Sequence, residues 1–158
     1  MAPRTDIQTT GLSAPQRAVA SINLDAITAN CALLADSLAE SSSLCAVVKA
    51  DGYGHGIVQS AQAALRGGAT RLAVVTVGEA QQLAEADFAV PVLIMAPLTA
   101  AELEAAIATG AELMVWERSQ VEAISAAAQV TGGGEVKLHI KRDTGMGRYG
   151  ARSDAEAL

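Results

Sequence analysis

Strand-like and helix-like segments alternate along most of this chain, and the alternation limits the folds that it can adopt. From residue 44 onward, short segments rich in Val, Leu and Ile alternate with segments of helical periodicity. The predicted strands are 44–49, 71–77, 90–96, 111–116 and 135–141. The predicted helices are 57–65, 79–86, 99–110 and 118–129. Such alternating units predict a parallel sheet covered by helices, and therefore an α/β fold.

Two architectures accommodate five parallel strands. One is a small doubly wound sheet of the flavodoxin type, and the other is an incomplete TIM barrel with about five of its eight strands. A complete barrel typically needs about 250 residues, whereas this chain has 158. Residues 151–158 start a further helical pattern after the fifth strand, and this favours a truncated barrel. Periodicity alone does not separate the two architectures.

The residues before the alternation predict a leader and one further helix. Residues 1–17 predict a disordered leader and lack the apolar run of a signal peptide. Residues 18–24 alternate as a half-buried strand does, and Asp25 then predicts a helix N-cap. Apolar residues at helical spacing mark that helix: Ile27, Cys31, Leu34 and Leu38. We therefore expect a leader at 1–17 and the N-terminal portion of a barrel domain at 18–158.

Composition excludes several classes of function. Apolar residues make up 51% of the chain and charged residues 18%, which predicts a globular protein. The net charge of −6 and the lack of a basic cluster argue against nucleic-acid binding. No apolar stretch is long enough to cross a membrane, and we expect a cytoplasmic protein. Cys31 and Cys45 lie in apolar patterns and predict buried, reduced thiols without metal-binding spacing.

The stretch AVVKADGYGHG, residues 46–56, ends a predicted strand on a lysine. In α/β folds the carboxyl ends of the strands are where ligands bind. Partial desolvation of Lys49 favours its neutral amine, which can form a Schiff base with an aldehyde such as that of pyridoxal phosphate. Tyr53 could offer its hydroxyl to a phosphate, and the surrounding glycines allow close backbone approach. For an arbitrary lysine, a side chain that extends into solvent is the commoner structure.

The stretch LHIKRDTGMGRYG, residues 138–150, repeats this arrangement. Lys137, His139 and Lys141 share one face of the predicted strand, which a polar barrel lumen could accept. The glycines of the following loop allow Arg148 to return towards the strand ends, where its guanidinium could bind a carboxylate or a phenolate oxygen. An anion must then lie between the two cations, either a substrate carboxylate or a carbamate on Lys141. A polar turn without chemistry is the alternative for this loop.

The two stretches together resemble the signatures of the alanine racemase family, from about residue 18 to the end of the chain. The resemblance implies a pyridoxal-phosphate barrel that interconverts L-alanine and D-alanine and so supplies D-alanine for peptidoglycan. It implies that Lys49 carries the cofactor and is catalytic, and that Tyr53 helps to hold the phosphate. It further implies that Arg148 contacts the cofactor ring oxygen and the substrate carboxylate, and that Lys141 is a lysine found carbamylated in many members.

The resemblance also implies parts that these 158 residues lack. Members of the family have a C-terminal β domain and work as homodimers. The second catalytic base, a tyrosine of the partner subunit, would lie in that domain, and residues 19–24 would lead into it. The arginine that faces the pyridine nitrogen and the glycine-rich phosphate loops would also lie beyond residue 158. We therefore expect no useful racemisation by the chain alone.

Other functions remain open from the sequence. A single-domain barrel that carries pyridoxal phosphate without catalysis shares the lysine-ended strand, although DTGMGRYG favours a site for a substrate carboxylate. A flavodoxin-like binding or signalling domain would need phosphate-binding turns or an acidic cluster at its strand ends, and neither is found. Amino-acid decarboxylases of the same barrel class match the motifs less well.

Overall fold

The five strands of this protein form one parallel sheet in which spatial order follows chain order. The structure, a computed structural model, describes residues 18–132 and 134–157, so the predicted leader lies outside the described residues. The strands are β1 (Leu44–Val47), β2 (Ala69–Val74), β3 (Val92–Ile94), β4 (Glu112–Val115) and β5 (Leu138–Ile140). Each predicted strand from residue 44 onward is therefore confirmed, although each ends earlier than predicted and β2 begins earlier, at Ala69.

The sequential order β1-β2-β3-β4-β5 separates the two predicted architectures. A flavodoxin-type sheet reverses direction after its first strands, and its order is 2-1-3-4-5. No reversal occurs here, and every neighbouring pair is parallel. The sheet is not closed, because β1 and β5 lie at opposite edges. The fold is thus an incomplete parallel β/α barrel.

Helices lie where helical periodicity predicts them, except for a short turn at Lys49–Gly54 that the sequence does not predict. They are α1 (Leu24–Asp36), α2 (Lys49–Gly54), α3 (Ile57–Arg66), α4 (Val77–Glu85), α5 (Leu103–Ala108) and α6 (Arg118–Val130), with a 3-10 turn at Ala100–Glu102. Helix α3 covers the helix predicted over 57–65, and Gly67 is its C-cap. No helix in residues 18–132 and 134–157 is long and apolar enough to cross a membrane.

Three predictions at the ends of the described chain are wrong. Residues 18–23 form no strand, because no neighbouring strand pairs with them. Asn23 rather than Asp25 caps α1, and its Oδ1 accepts a hydrogen bond of 3.1 Å from the amide of Ala26. The helix predicted after β5 is also absent over 151–157, where the chain forms turns and Ala151 bridges to Arg142.

Alternate residues of the strands divide the sheet into a packed face and an open face. On the packed face Leu72, Val74 and Ile94 are fully buried, together with Leu113 and Val115. They meet apolar residues of the helices in one core. The open face carries Cys45, Arg71, Glu112 and His139 among others, and it is the face that a closed barrel would enclose.

Candidate functional site

Lys49 lies at the carboxyl end of β1, two residues past the end of the strand. Val48, the residue between them, is buried, and its amide donates a 2.9 Å hydrogen bond to the carbonyl of Ala73 in β2. Lys49 itself is half-buried. The predicted strand extends to Lys49, whereas the observed strand ends at Val47. In the structure Val47 is 38% exposed on the open face, and the chain changes conformation at Val48.

A short left-handed turn, α2, begins at Lys49. Ala50, Asp51, Gly52 and Tyr53 have φ values of 52°, 53°, 62° and 57°. This conformation costs roughly 1–2 kcal/mol for each residue other than glycine, so contacts around the turn must maintain it. The amide of Gly52 donates to the carbonyl of Val48 at 2.9 Å, and Oδ1 of Asp51 accepts from the amide of Ile57 at 2.9 Å. The turn therefore joins β1 to the first residue of α3.

Tyr53 lies beside Lys49 in this turn. The Nζ atom of Lys49 is 5.9 Å from the centre of the Tyr53 ring, within the range of a cation–π contact. The Tyr53 side chain is 59% exposed. The structure thus brings together the two residues that the first motif predicts, with the phenol available to solvent.

The second motif forms a loop that leaves β5 and returns to it. The amide of Lys141 donates to the carbonyl of Val115 at 2.8 Å, and its carbonyl accepts from the amide of Ala151 at 3.0 Å. Inside the loop, the Asp143 carboxylate accepts from the amides of Gly145 and Gly147. These two hydrogen bonds lower the pKa of Asp143.

A ring stack anchors the far side of the same loop. The rings of Tyr149 and Trp116 are 5.6 Å apart at 24°, and Trp116 directly follows β4. Arg148, next to Tyr149, is exposed. Within the described residues its guanidinium has no hydrogen-bond or ion-pair partner. The loop therefore returns as the glycines predict, but the guanidinium remains available to a ligand.

The two motifs lie at the carboxyl ends of the strands, along the side of the sheet called here its carboxyl edge. All five strands are parallel, so Lys49 after β1 and Lys141 after β5 both lie at the carboxyl edge. Three strands separate them, and β1 and β5 do not pair in this open sheet. The structure consequently places the motifs at the same edge without contact between them.

A charged cluster on the open face was missed by the sequence analysis. Glu112 forms an ion pair with Arg71, and its Oε2 lies 2.6 Å from Nε2 of His139. A carboxylate only accepts hydrogen bonds, so Nε2 of His139 carries a proton there. This contact lies on the strand face where the sequence analysis places His139. Arg71 and Glu112 could have been found in the sequence as single charged residues within otherwise apolar strands.

The cluster sets the ionisation of its buried member. Glu112 is 6% exposed. Burial alone would raise the pKa of its carboxyl, but the hydrogen bond from His139 and the charges of Arg71, His139 and Lys137 outweigh burial and lower the pKa. The cluster therefore favours the carboxylate in the folded state.

Acid is expected to weaken this part of the fold. The folded state holds Glu112 deprotonated below the usual glutamate value of 4.5, so near that pH it binds fewer protons than the unfolded state. The contribution of Glu112 is complete above that value and is lost as the pH falls through the lowered pKa. Urea midpoints measured from about pH 6 down to about pH 3 should fall less steeply for Glu112→Gln than for wild type. An equal fall in both proteins would contradict this account.

The cysteines depart in part from the prediction. Both are free thiols, as predicted, and Cys31 is partly buried. Cys45 is exposed on the open face rather than buried. Desolvation raises the pKa of the Cys45 thiol, the charge of Arg71 lowers it and that of Glu112 raises it again, for a net increase. In the part of the chain that the structure describes, no three His, Cys, Asp or Glu residues are grouped to hold a metal ion.

A sequential parallel sheet with a lysine at its carboxyl edge defines the chain as part of a β/α barrel whose ligands bind at the strand ends. Residues 22–158 match the family described as "Alanine racemase, N-terminal domain". The chain belongs to this family, and the comparisons do not favour the non-catalytic carrier.

Individual relatives match over most of this chain. It is 40% identical over 139 residues to an alanine racemase of Desulforamulus reducens, covering 88% of this chain and 37% of that protein. It is 42% identical over 135 residues to an alanine racemase of Frankia casuarinae, covering 85% and 35%. The chain therefore spans little more than a third of the length of these relatives.

Solved structures show the same likeness in three dimensions. The crystal structure of alanine racemase from E. faecalis superposes with a TM-score of 0.78 at 39% identity, covering 85% of this chain and 36% of that one. The alanine racemase from Bacillus anthracis with bound L-Ala-P gives 0.76 at 35% identity, covering 85% and 34%. These neighbours are barrel proteins, which supports the incomplete barrel.

Proposed function

We propose that this chain provides the cofactor-binding part of an alanine racemase that interconverts L-alanine and D-alanine with pyridoxal phosphate. The observation that carries the proposal is the half-buried Lys49 at the carboxyl end of β1, at the start of a strained turn and beside Tyr53. Membership of the family supports the substrate. Because the chain spans about a third of its relatives, the activity is proposed for the whole protein.

The residues present fit the cofactor in their chemistry. A primary amine is the group that captures an aldehyde, and the exposed phenol of Tyr53 can donate to a phosphate oxygen. The exposed guanidinium of Arg148 can donate two parallel hydrogen bonds to a carboxylate or reach a phenolate oxygen. When bound, pyridoxal phosphate supplies an electron sink that makes the Cα–H of an amino acid acidic.

Each of these residues receives one task in the proposal. The Nζ of Lys49 would hold the cofactor and would move the proton at Cα on the face that yields D-alanine. Arg148 orients the substrate carboxylate. Lys141, if carbamylated, would present an anion that neutralises and orients Arg148. Tyr53 holds the phosphate and thereby fixes the cofactor relative to Lys49.

Racemisation needs a second base on the opposite face of the carbanion. We propose that a tyrosine from outside these residues, on the partner subunit of a homodimer, supplies it. We also propose a cytoplasmic enzyme that supplies D-alanine for peptidoglycan. Binding by the 158 residues, rather than turnover, is therefore the appropriate test of this chain.

A carboxylate-selective response to amino acids tests the proposal. The chain loaded with pyridoxal phosphate should show a yellow absorption band that alanine perturbs at lower concentrations than ethylamine, which lacks the carboxylate. In Arg148→Gln the two ligands should become nearly equivalent, because the guanidinium fork is lost. We expect the preference to fall by about tenfold or more, the size of a charge-assisted hydrogen bond.

Arg152→Gln is a suitable control for charge, since Arg152 is also an exposed arginine and lies past the loop that carries Arg148. It should keep the wild-type preference for alanine. A wild-type chain that responds equally to alanine and ethylamine would contradict the substrate assignment, and a chain that develops no band would contradict cofactor binding.

A further inference from the structure

Glu79 on α4 makes contacts that reach beyond its own helix. Its Oε2 accepts hydrogen bonds from the amides of Val75 at 2.9 Å and Thr76 at 3.0 Å. Its Oε1 accepts a 2.7 Å hydrogen bond from the amide of Ala50, which is 29 residues away in the sequence and directly follows Lys49. One oxygen thus closes the capping box of α4, and the other holds the turn that begins at Lys49.

The backbone on each side of Lys49 is therefore fixed to the second β/α unit. The amide of Val48 is bonded to the carbonyl of Ala73 in β2, and the amide of Ala50 is bonded to Glu79. Ala50 itself has a φ of 52°, a conformation that a residue with a Cβ rarely keeps unless its surroundings impose it. The direction of the Lys49 side chain depends on both of these anchors.

We propose that Glu79 is a positioning residue that aims the amine of Lys49 at the cofactor aldehyde by holding the amide of Ala50. This inference rests on the function proposed above and adds to it a residue outside both sequence motifs. Within the described residues the carboxylate of Glu79 accepts hydrogen bonds from backbone amides, and the Glu79 amide donates one to the Thr76 hydroxyl. Glu79 therefore acts through the backbone and not on the reacting atoms.

The ionisation of Glu79 supports this role. Burial raises the pKa of its carboxyl, but hydrogen bonds from Val75, Thr76 and Ala50 outweigh burial and lower the pKa. Both oxygens therefore remain hydrogen-bond acceptors at neutral pH, so that one can bind the amide of Ala50 and the other the amides of Val75 and Thr76.

Glu79→Gln separates the two contacts. Glutamine has one acceptor oxygen, and it serves in capping boxes as well as glutamate does. If that oxygen keeps the box on α4, the side-chain NH₂ faces the amide of Ala50, where two donors oppose each other. The variant should therefore retain the helix and lose the anchor next to Lys49.

Glu102→Gln is the matched control. Glu102 closes the same kind of box, with its Oε2 accepting from the amide of Thr99 at 2.9 Å and from its hydroxyl at 2.7 Å. In the described part of the chain it holds no distant loop. Any effect of a glutamine in a capping box that is not specific to Lys49 should appear in both variants.

Two readouts test the inference on the full 158-residue chain. Hydrogen exchange at the amide of Ala50 should become about tenfold or more faster in Glu79→Gln and stay unchanged in Glu102→Gln. Brief exposure to pyridoxal phosphate followed by borohydride reduction should label Lys49 several-fold more slowly in Glu79→Gln, while Lys137 labels at the wild-type rate in every protein. Circular dichroism spectra that match wild type would establish that both variants are folded.

The outcomes distinguish this inference from the function on which it rests. A wild-type Lys49 that labels no faster than Lys137 contradicts the proposed function. A second outcome is that Lys49 labels selectively in wild type while its labelling and the exchange of the Ala50 amide are the same in Glu79→Gln and Glu102→Gln. That result overturns the role of Glu79 and leaves the proposed function standing. Should Glu79→Gln fail to fold, Glu79→Asp provides the test, because the shorter carboxylate keeps its charge yet does not span both contacts.

Discussion

Lys49→Arg is expected to abolish the yellow absorption band that pyridoxal phosphate develops with the wild-type chain. Arginine keeps the positive charge and most of the length of lysine, but its guanidinium is never deprotonated in proteins and does not capture an aldehyde. The charge next to Tyr53 is preserved, so the turn after β1 should fold as before. Absorption spectra of the two proteins at equal cofactor concentration measure the effect.

Lys137→Arg is the control for a general loss of reactive amines. Lys137 is exposed and lies before β5, away from the carboxyl edge of the sheet. This variant should develop the wild-type band. A band of wild-type intensity in Lys49→Arg would show that another group binds the cofactor, and the site at the end of β1 would then be assigned incorrectly.

Gly52→Ala is expected to cause the largest loss of stability among single changes in the turn. Gly52 has a φ of 62°, and a Cβ there would lie 2.6 Å from Oγ and 3.0 Å from Cβ of Ser60. The left-handed conformation costs about 1–2 kcal/mol for alanine and overpacking typically adds about 1–3 kcal/mol. We therefore expect the free energy of unfolding, measured in urea, to fall by roughly 2–5 kcal/mol.

Gly54→Ala is the matched control, because Gly54 also has a positive φ, of 82°, but a Cβ there meets nothing within 4 Å. It should cost only the conformational part, about 1–2 kcal/mol. The Oγ of Ser60 is buried without a hydrogen-bond partner among the described residues, so Ser60→Ala should be nearly neutral alone and restore part of the loss in Gly52→Ala. Equal losses in the two glycine variants would contradict a steric role for Gly52.

The local part of the fold could be predicted from the sequence. Alternating apolar segments predict β1 to β5, and helical periodicity predicts α3 to α6, because these signals act over a few residues. The order of the strands could not be predicted, since it depends on pairing between distant segments. The strand predicted over 18–24 failed for the same reason, because alternation without a neighbour to pair with does not form a sheet.

In the candidate site, too, residues within one motif could be predicted from the sequence, whereas contacts between distant segments could not. Lys49 and Tyr53 could be predicted together because one short motif contains both. Glu112 was missed because its partners Arg71 and His139 lie 41 and 27 residues away along the chain. Glu79 was missed because nothing near it in the sequence indicates that one of its oxygens bonds to the amide of Ala50. Contacts of this kind form only when folding brings distant segments of the chain together, across the face of the sheet for Glu112 and at the ends of its strands for Glu79.

Mapping the lysine that captures pyridoxal phosphate tests the central claim most directly. The chain contains three lysines, Lys49, Lys137 and Lys141, so reduction with borohydride and mass spectrometry of the peptides can assign every adduct. We predict that nearly all of the adduct is on Lys49 at limiting cofactor. An adduct spread evenly over the three lysines, or found mainly on Lys141, would contradict the assignment of Lys49 as the cofactor lysine.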